Sequence, residues 1–128
     1  MFRIYSVILT FTMIAFVNVA LAKGVTQDIR FKLGTSSAVN TGTVERGDRD
    51  EYRLTAKAGQ EMTVRITSIE DNAVFQIYQA KDMKALDGAA EGEDAMSWQG
   101  KLPASGKYTI VVGGTRGNTS YKLEVTIK

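Results

Sequence analysis

Acid–base chemistry in this chain falls to carboxylates, lysines and tyrosines, because its 128 residues include no histidine and no cysteine. Disulfides, thiolate nucleophiles, Cys/His zinc sites and Ser-His-Asp or Cys-His catalysis all need a residue the chain lacks. The densest run of carboxylates is Asp87, Glu91, Glu93 and Asp94, within Lys81–Asp94. Three readings fit that run: a solvated connection, an acidic contact surface for a basic partner, or a calcium loop. Calcium loops need oxygen ligands at alternate positions around a sharp turn, and this spacing does not match that pattern. No two acids are set apart in an apolar surrounding that would raise one of them, as a glycosidase pair requires. The chain is therefore expected to be no enzyme, with no cofactor and no metal.

Other short motifs reduce to backbone geometry. Arg46-Gly47-Asp48 is an adhesion-type tripeptide, but Gly-Asp between two strands is ordinary turn chemistry. Gly113-Gly114-Thr115-Arg116-Gly117 is glycine-rich without the Lys-Ser/Thr pair of a phosphate loop, and a hairpin turn is expected there. Trp98 is expected as a core plug more than as a sugar platform. Asn118-Thr119-Ser120 has the form of a glycosylation sequon. The net charge of +2 is too small for a nucleic-acid binder.

These residues must be held by elements, and the first stretch is not one of them. Met1-Phe2-Arg3, an uncharged apolar run to Val19 and Ala20-Leu21-Ala22 make a signal peptide over residues 1–22. Residues 23–128 then form a single exported domain, in the periplasm or beyond it, with no membrane contact expected after cleavage. From there the hydrophobic period is two. Ile29-Phe31-Leu33, Tyr52-Leu54-Ala56, Met62-Val64-Ile66, Phe75-Ile77, Tyr108-Ile110-Val112 and Tyr121-Leu123-Val125-Ile127 each alternate with polar residues. Shorter strands fit Val39–Val44 and Ser97–Lys101, and Gly-, Asn- and Pro-containing turns separate them. About eight short strands mean an all-β fold, a single antiparallel sandwich of jelly-roll or Greek-key type. Lys81–Asp94 lacks the alternation and is expected as a connection, with a helical turn at Met83–Leu86. Without disulfides, such a domain must be held by its apolar core.

Four segments carry a resemblance. Gly47-Asp48-Arg49-Asp50-Glu51-Tyr52-Arg53-Leu54 leads to an Ala56-Lys57-Ala58-Gly59-Gln60 turn. Leu102-Pro103-Ala104-Ser105-Gly106-Lys107-Tyr108-Thr109-Ile110 follows late, and Tyr121-Lys122-Leu123-Glu124-Val125 closes the chain. Together they resemble the bacterial pre-peptidase C-terminal type of β-sandwich over roughly Ile29 to Ile127. A signal peptide followed by one such domain resembles, more narrowly, the periplasmic lysozyme inhibitors of the g-type and i-type groups. That resemblance implies a partner-binding loop of Ser105, Gly106 and Tyr108, with Lys107 at its variable position, entering a lysozyme's substrate cleft. Ser105 would hydrogen-bond a catalytic carboxyl group, and Gly106 would let the backbone approach. Tyr108 would brace the loop from beneath or lend its hydroxyl to the contact. Asp87, Glu91, Glu93 and Asp94 would complement a basic lysozyme. The alternative is a non-catalytic envelope module that binds glycan, peptidoglycan or another protein, with the Ser-Gly-x-Tyr turn purely structural. Either protein would be a monomer or a homodimer.

Overall fold

The computed structural model describes residues 24–32 and 34–128, so the expected signal peptide and Leu33 lie outside it. Nine strands run β1 Thr26–Asp28, β2 Ser37–Val44, β3 Asp50–Ala56, β4 Glu61–Ser68, β5 Ala73–Gln79, β6 Lys84–Ala85, β7 Ser97–Lys101, β8 Gly106–Gly114 and β9 Thr119–Ile127. One sheet has the order β1-β3-β8-β5-β6 and the other β2-β9-β4-β7. Every pairing is antiparallel except β1 with β3.

The two-residue period explains the layering. Tyr52, Leu54, Phe75, Ile77, Tyr108, Ile110 and Val112 point inward from the first sheet, and Met62, Val64, Ile66, Leu123 and Val125 from the second. Their shared burial is the main driving force for folding. In the first sheet the outermost strands β1 and β6 are three and two residues long, which limits that sheet's edges for pairing with other chains, whereas the second sheet ends in β2 and β7, eight and five residues long.

A buried polar chain crosses the core where a disulfide is absent. Tyr121 O–H donates to Asp50 Oδ2 at 2.6 Å, and because its one proton is thereby used, Tyr52 O–H donates to Tyr121 Oη at 2.5 Å. Asp50 and Tyr52 belong to one sheet and Tyr121 to the other, and all three are buried. Burial pushes both tyrosines above the usual phenol range; the hydrogen bond to Asp50 adds to the effect at Tyr121, and the Asp50 charge to that at Tyr52. Asp50 Oδ1 accepts the Val25 N–H at 2.9 Å and so fastens the N-terminal segment as well. Gly42 is what lets Tyr121 fit: a Cβ there would lie 2.6 Å from its hydroxyl oxygen.

Two local expectations are corrected. The strand placed over Ile29–Leu33 lies earlier, at Thr26–Asp28, because Val25 anchors it to Asp50 and to the Glu51 N–H. All three side chains of that strand are exposed, so no alternation announces it. Ile29 is still buried, with its N–H on the Arg53 carbonyl at 2.8 Å. The helical turn expected at Met83–Leu86 is a hairpin instead: Met83 adopts φ 56°, its N–H closes onto Gln79 O at 2.9 Å, and β6 follows.

Candidate functional site

The turn between β7 and β8 is assembled from two of the segments noted in the sequence, which meet across about 45 residues of chain. Leu102 is buried, with its N–H on Gln60 O at 2.8 Å, while Gly59 N–H donates to Leu102 O at 2.9 Å. The Lys57–Gln60 turn is closed by the Gln60 side chain, whose Oε1 accepts the Lys57 N–H at 2.7 Å. Beside it, Ser105 Oγ accepts the Ala58 N–H at 2.8 Å. Gly106 then takes φ 143°, a conformation close to glycine-only, and pairs with Ala56 as β8 begins.

Tyr108 holds this turn from below. It is 1% exposed, its hydroxyl donates to Ala104 O at 2.6 Å and accepts the Ala104 N–H at 3.2 Å. Of the two roles open to it, bracing fits this burial. Ser105, Gly106 and Lys107 are exposed above it. Because Ser105 Oγ spends an acceptor site on Ala58, its own O–H is left to donate outward to an acceptor such as a carboxylate.

The acidic residues are not gathered at this turn. Leu86 N–H on Ile77 O, Ile77 N–H on Ala89 O and the Phe75–Ala95 bridge lay residues 86–95 antiparallel along β5. Asp87 is at the turn end, in a concavity with Lys84, Trp98, Lys101 and Pro103. Glu91 and Asp94 line a concavity of about 280 Å³ at the other end of β8, with Asp48, Arg49, Gln76 and Gly113. Glu93 is exposed between them. Nine residues of β8 separate the two ends, roughly 25 Å. Among the described residues no group of three or more His, Cys, Asp or Glu side chains could hold a metal ion.

The remaining motifs are structural. Trp98 packs against the core and donates its Nε1–H to Asp87 O at 2.8 Å, and a Cβ at Gly100 would sit 2.9 Å from its ring. The Arg46–Asp48 turn connects β2 to β3, with Arg46 N–H on Asn118 Oδ1 at 2.8 Å. Gly113–Gly117 leads through the β8–β9 hairpin, where Asn72 bonds Arg116 O, Asn118 O and Thr119 Oγ1.

No family model matches the chain. The crystal structure of the periplasmic inhibitor of g-type lysozyme from Aeromonas hydrophila, PliG, is 36% identical, with a TM-score of 0.67 over 83% of this chain and 98% of that one. The chain belongs to the PliG family. The inhibitor of g-type lysozyme of Escherichia coli K12 is 29% identical over 120 residues, 87% of each chain. The pre-peptidase C-terminal domain of Bacillus anthracis collagenase shares the fold, with 16% identity and a TM-score of 0.59 over 87% of this chain. Both expected resemblances hold, and the relatives fall in the g-type group. The solved PliG proteins are periplasmic, the location expected of this chain from its N-terminus.

Proposed function

We propose that this protein inhibits g-type lysozyme, and that the Ser105–Gly106–Lys107 turn does so by entering the substrate cleft. The carrying observation is the Ser105 hydroxyl: exposed, oriented by Ala58 N–H, and free to donate. Lysozymes cleave glycosidic bonds with carboxyl groups, so a donor held at the tip of a narrow turn matches what their cleft offers. Gly106 has no side chain to keep the backbone away, and Tyr108 with Leu102 keeps the tip from collapsing. The g-type partner is supported by the relatives named above.

A lysis assay with cell walls and purified protein lacking residues 1–22 tests this against g-, i- and c-type lysozymes. The expected result is inhibition of the g-type enzyme. Ser105→Ala removes one hydrogen bond to a charged group and should weaken inhibition roughly 10- to 150-fold. Absence of g-type inhibition would end the reading. Undiminished inhibition by a folded Ser105→Ala variant would move the contact away from this turn.

A further inference from the structure

Unpaired positive charge collects at the turn end of the sandwich. Lys57 begins the neighbouring turn, Lys101 ends β7, Lys107 follows Gly106, and Lys81 and Lys84 flank the tip of the β5–β6 hairpin. That tip is tied to the same end by Ala80 N–H donating to Lys107 O at 2.9 Å. All five lysines are exposed. Among the described residues the ion pairs are Arg53–Glu51 and Lys122–Glu124, so none of the five is paired. The nearby carboxylates are Asp28, which lines a concavity with Lys107, Asp82, which accepts the Lys84 N–H at 3.0 Å, Asp87, and Glu61, which lies opposite Lys101 and accepts from Gln99. The far end carries more carboxylates than cations: Glu91, Asp94 and Asp48 line one concavity there with Arg49, and Glu93 is exposed beside it.

Between Lys81 and Lys84 stands Met83. Its side chain is 58% exposed and its backbone is left-handed at φ 56°. Asn or Gly would close this hairpin without strain and without placing an apolar side chain in water. The combination is an apolar tip flanked by the long, flexible cations of Lys81 and Lys84.

We propose that this end is a peripheral docking surface for an anionic lipid bilayer, with the lysines against the headgroup phosphates and Met83 entering the layer beneath them. A bilayer offers both chemistries in the same order, anionic outside and apolar within. Flexible lysine stems suit fluid headgroups better than a fixed carboxylate pattern, and the acidic far end is repelled, which orients the molecule. This contact lies on the surface, since no helix among the described residues is long and apolar enough to cross a membrane. It differs from the expectation of no membrane contact after cleavage, which rested on the loss of the apolar leader alone. The proposal does not depend on lysozyme inhibition.

The test is cosedimentation of the protein lacking residues 1–22 with vesicles of phosphatidylcholine and of phosphatidylcholine with phosphatidylglycerol, at low and high salt. Binding is expected to the anionic vesicles only, and to fall as salt rises. Lys81→Gln and Lys107→Gln should each weaken it about fivefold. Met83→Asn tolerates the left-handed backbone and removes the apolar tip; it should weaken vesicle binding with no loss of thermal midpoint. No cosedimentation with anionic vesicles at low salt would overturn the proposal. So would soluble polyphosphate binding as tightly as the vesicles with Met83→Asn changing neither, which would assign the lysines to a polyanion without an apolar layer.

Discussion

Replacing Tyr108 by Phe separates the two roles a tyrosine beneath a binding turn could have. The ring stays and only the hydroxyl goes, so the core keeps its packing around a residue that is 1% exposed. What is lost is one bond of 2.6 Å to Ala104 O and one of 3.2 Å from Ala104 N. A neutral hydrogen bond contributes about 1 kcal/mol net, and a carbonyl left without a partner costs about 1–3 kcal/mol. Ala104 is half-buried, so water reaches it and the total should be about 1–2 kcal/mol. In a domain of this size each kcal/mol moves the midpoint by about 4–8 °C, so a fall of roughly 5–15 °C is expected on thermal denaturation. Urea unfolding should show a lower midpoint with the slope unchanged. At a temperature where the variant is folded, inhibition of g-type lysozyme should fall less than about tenfold, a loosening of the turn worth under about 1.4 kcal/mol. An unchanged thermal midpoint with inhibition reduced beyond about a hundredfold would refute the bracing role and put the hydroxyl in contact with the lysozyme.

Other variants test the parts around it. Gly106→Ala places a Cβ in open space, since nothing lies within 4 Å, so its whole cost comes from φ 143° and should be about 1–3 kcal/mol by urea unfolding. An unchanged midpoint would show that the turn tolerates another backbone. Tyr121→Phe strips the buried Asp50 carboxylate of one of its two donors and Tyr52 of its acceptor, and should destabilise by about 2–4 kcal/mol. Both tyrosines are held protonated above the ordinary phenol range in the folded protein, whereas the unfolded chain releases their protons from about pH 10. Stability is therefore full below pH 10 and should fall above it, by up to about 1.4 kcal/mol per pH unit for each tyrosine. A flat alkaline stability curve would contradict a buried, protonated pair. Glu91→Lys and Asp94→Lys, at the end of β8 away from the turn, should leave Ser105-dependent inhibition within about twofold, less than half a kcal/mol.

The strands were legible because alternation reports which face of a strand is buried, and Tyr52-Leu54-Ala56 or Tyr121-Leu123-Val125 can satisfy that pattern in one way only. β1 was not, because Thr26, Gln27 and Asp28 bury nothing and are held by backbone pairing with Glu51, Tyr52 and Arg53. Met83 read as helical because propensity carries no sign of a left-handed residue closing a hairpin. The turn was visible through Pro103 and Gly106, whose backbone constraints are local. Its anchor was not: Ala58 contributes an N–H, which every residue but proline has, from 47 positions away. The same limit hid the Asp50–Tyr121 bond, formed across 71 positions and between two sheets. The acidic run was visible as composition, yet its spread along β5 depends on backbone contacts of Ile77 with Leu86 and Ala89 and on the bridge between Phe75 and Ala95.

The proposed mode of inhibition puts this turn in a lysozyme's substrate cleft. Its most direct test is calorimetric titration of the protein into g-type lysozyme, with and without a saturating chitin oligosaccharide already in that cleft. With the turn in the cleft, the oligosaccharide competes and raises the apparent Kd in inverse proportion to the fraction of clefts it leaves empty, and Ser105→Ala weakens binding in its absence. Equal affinity with the cleft empty and filled would contradict it.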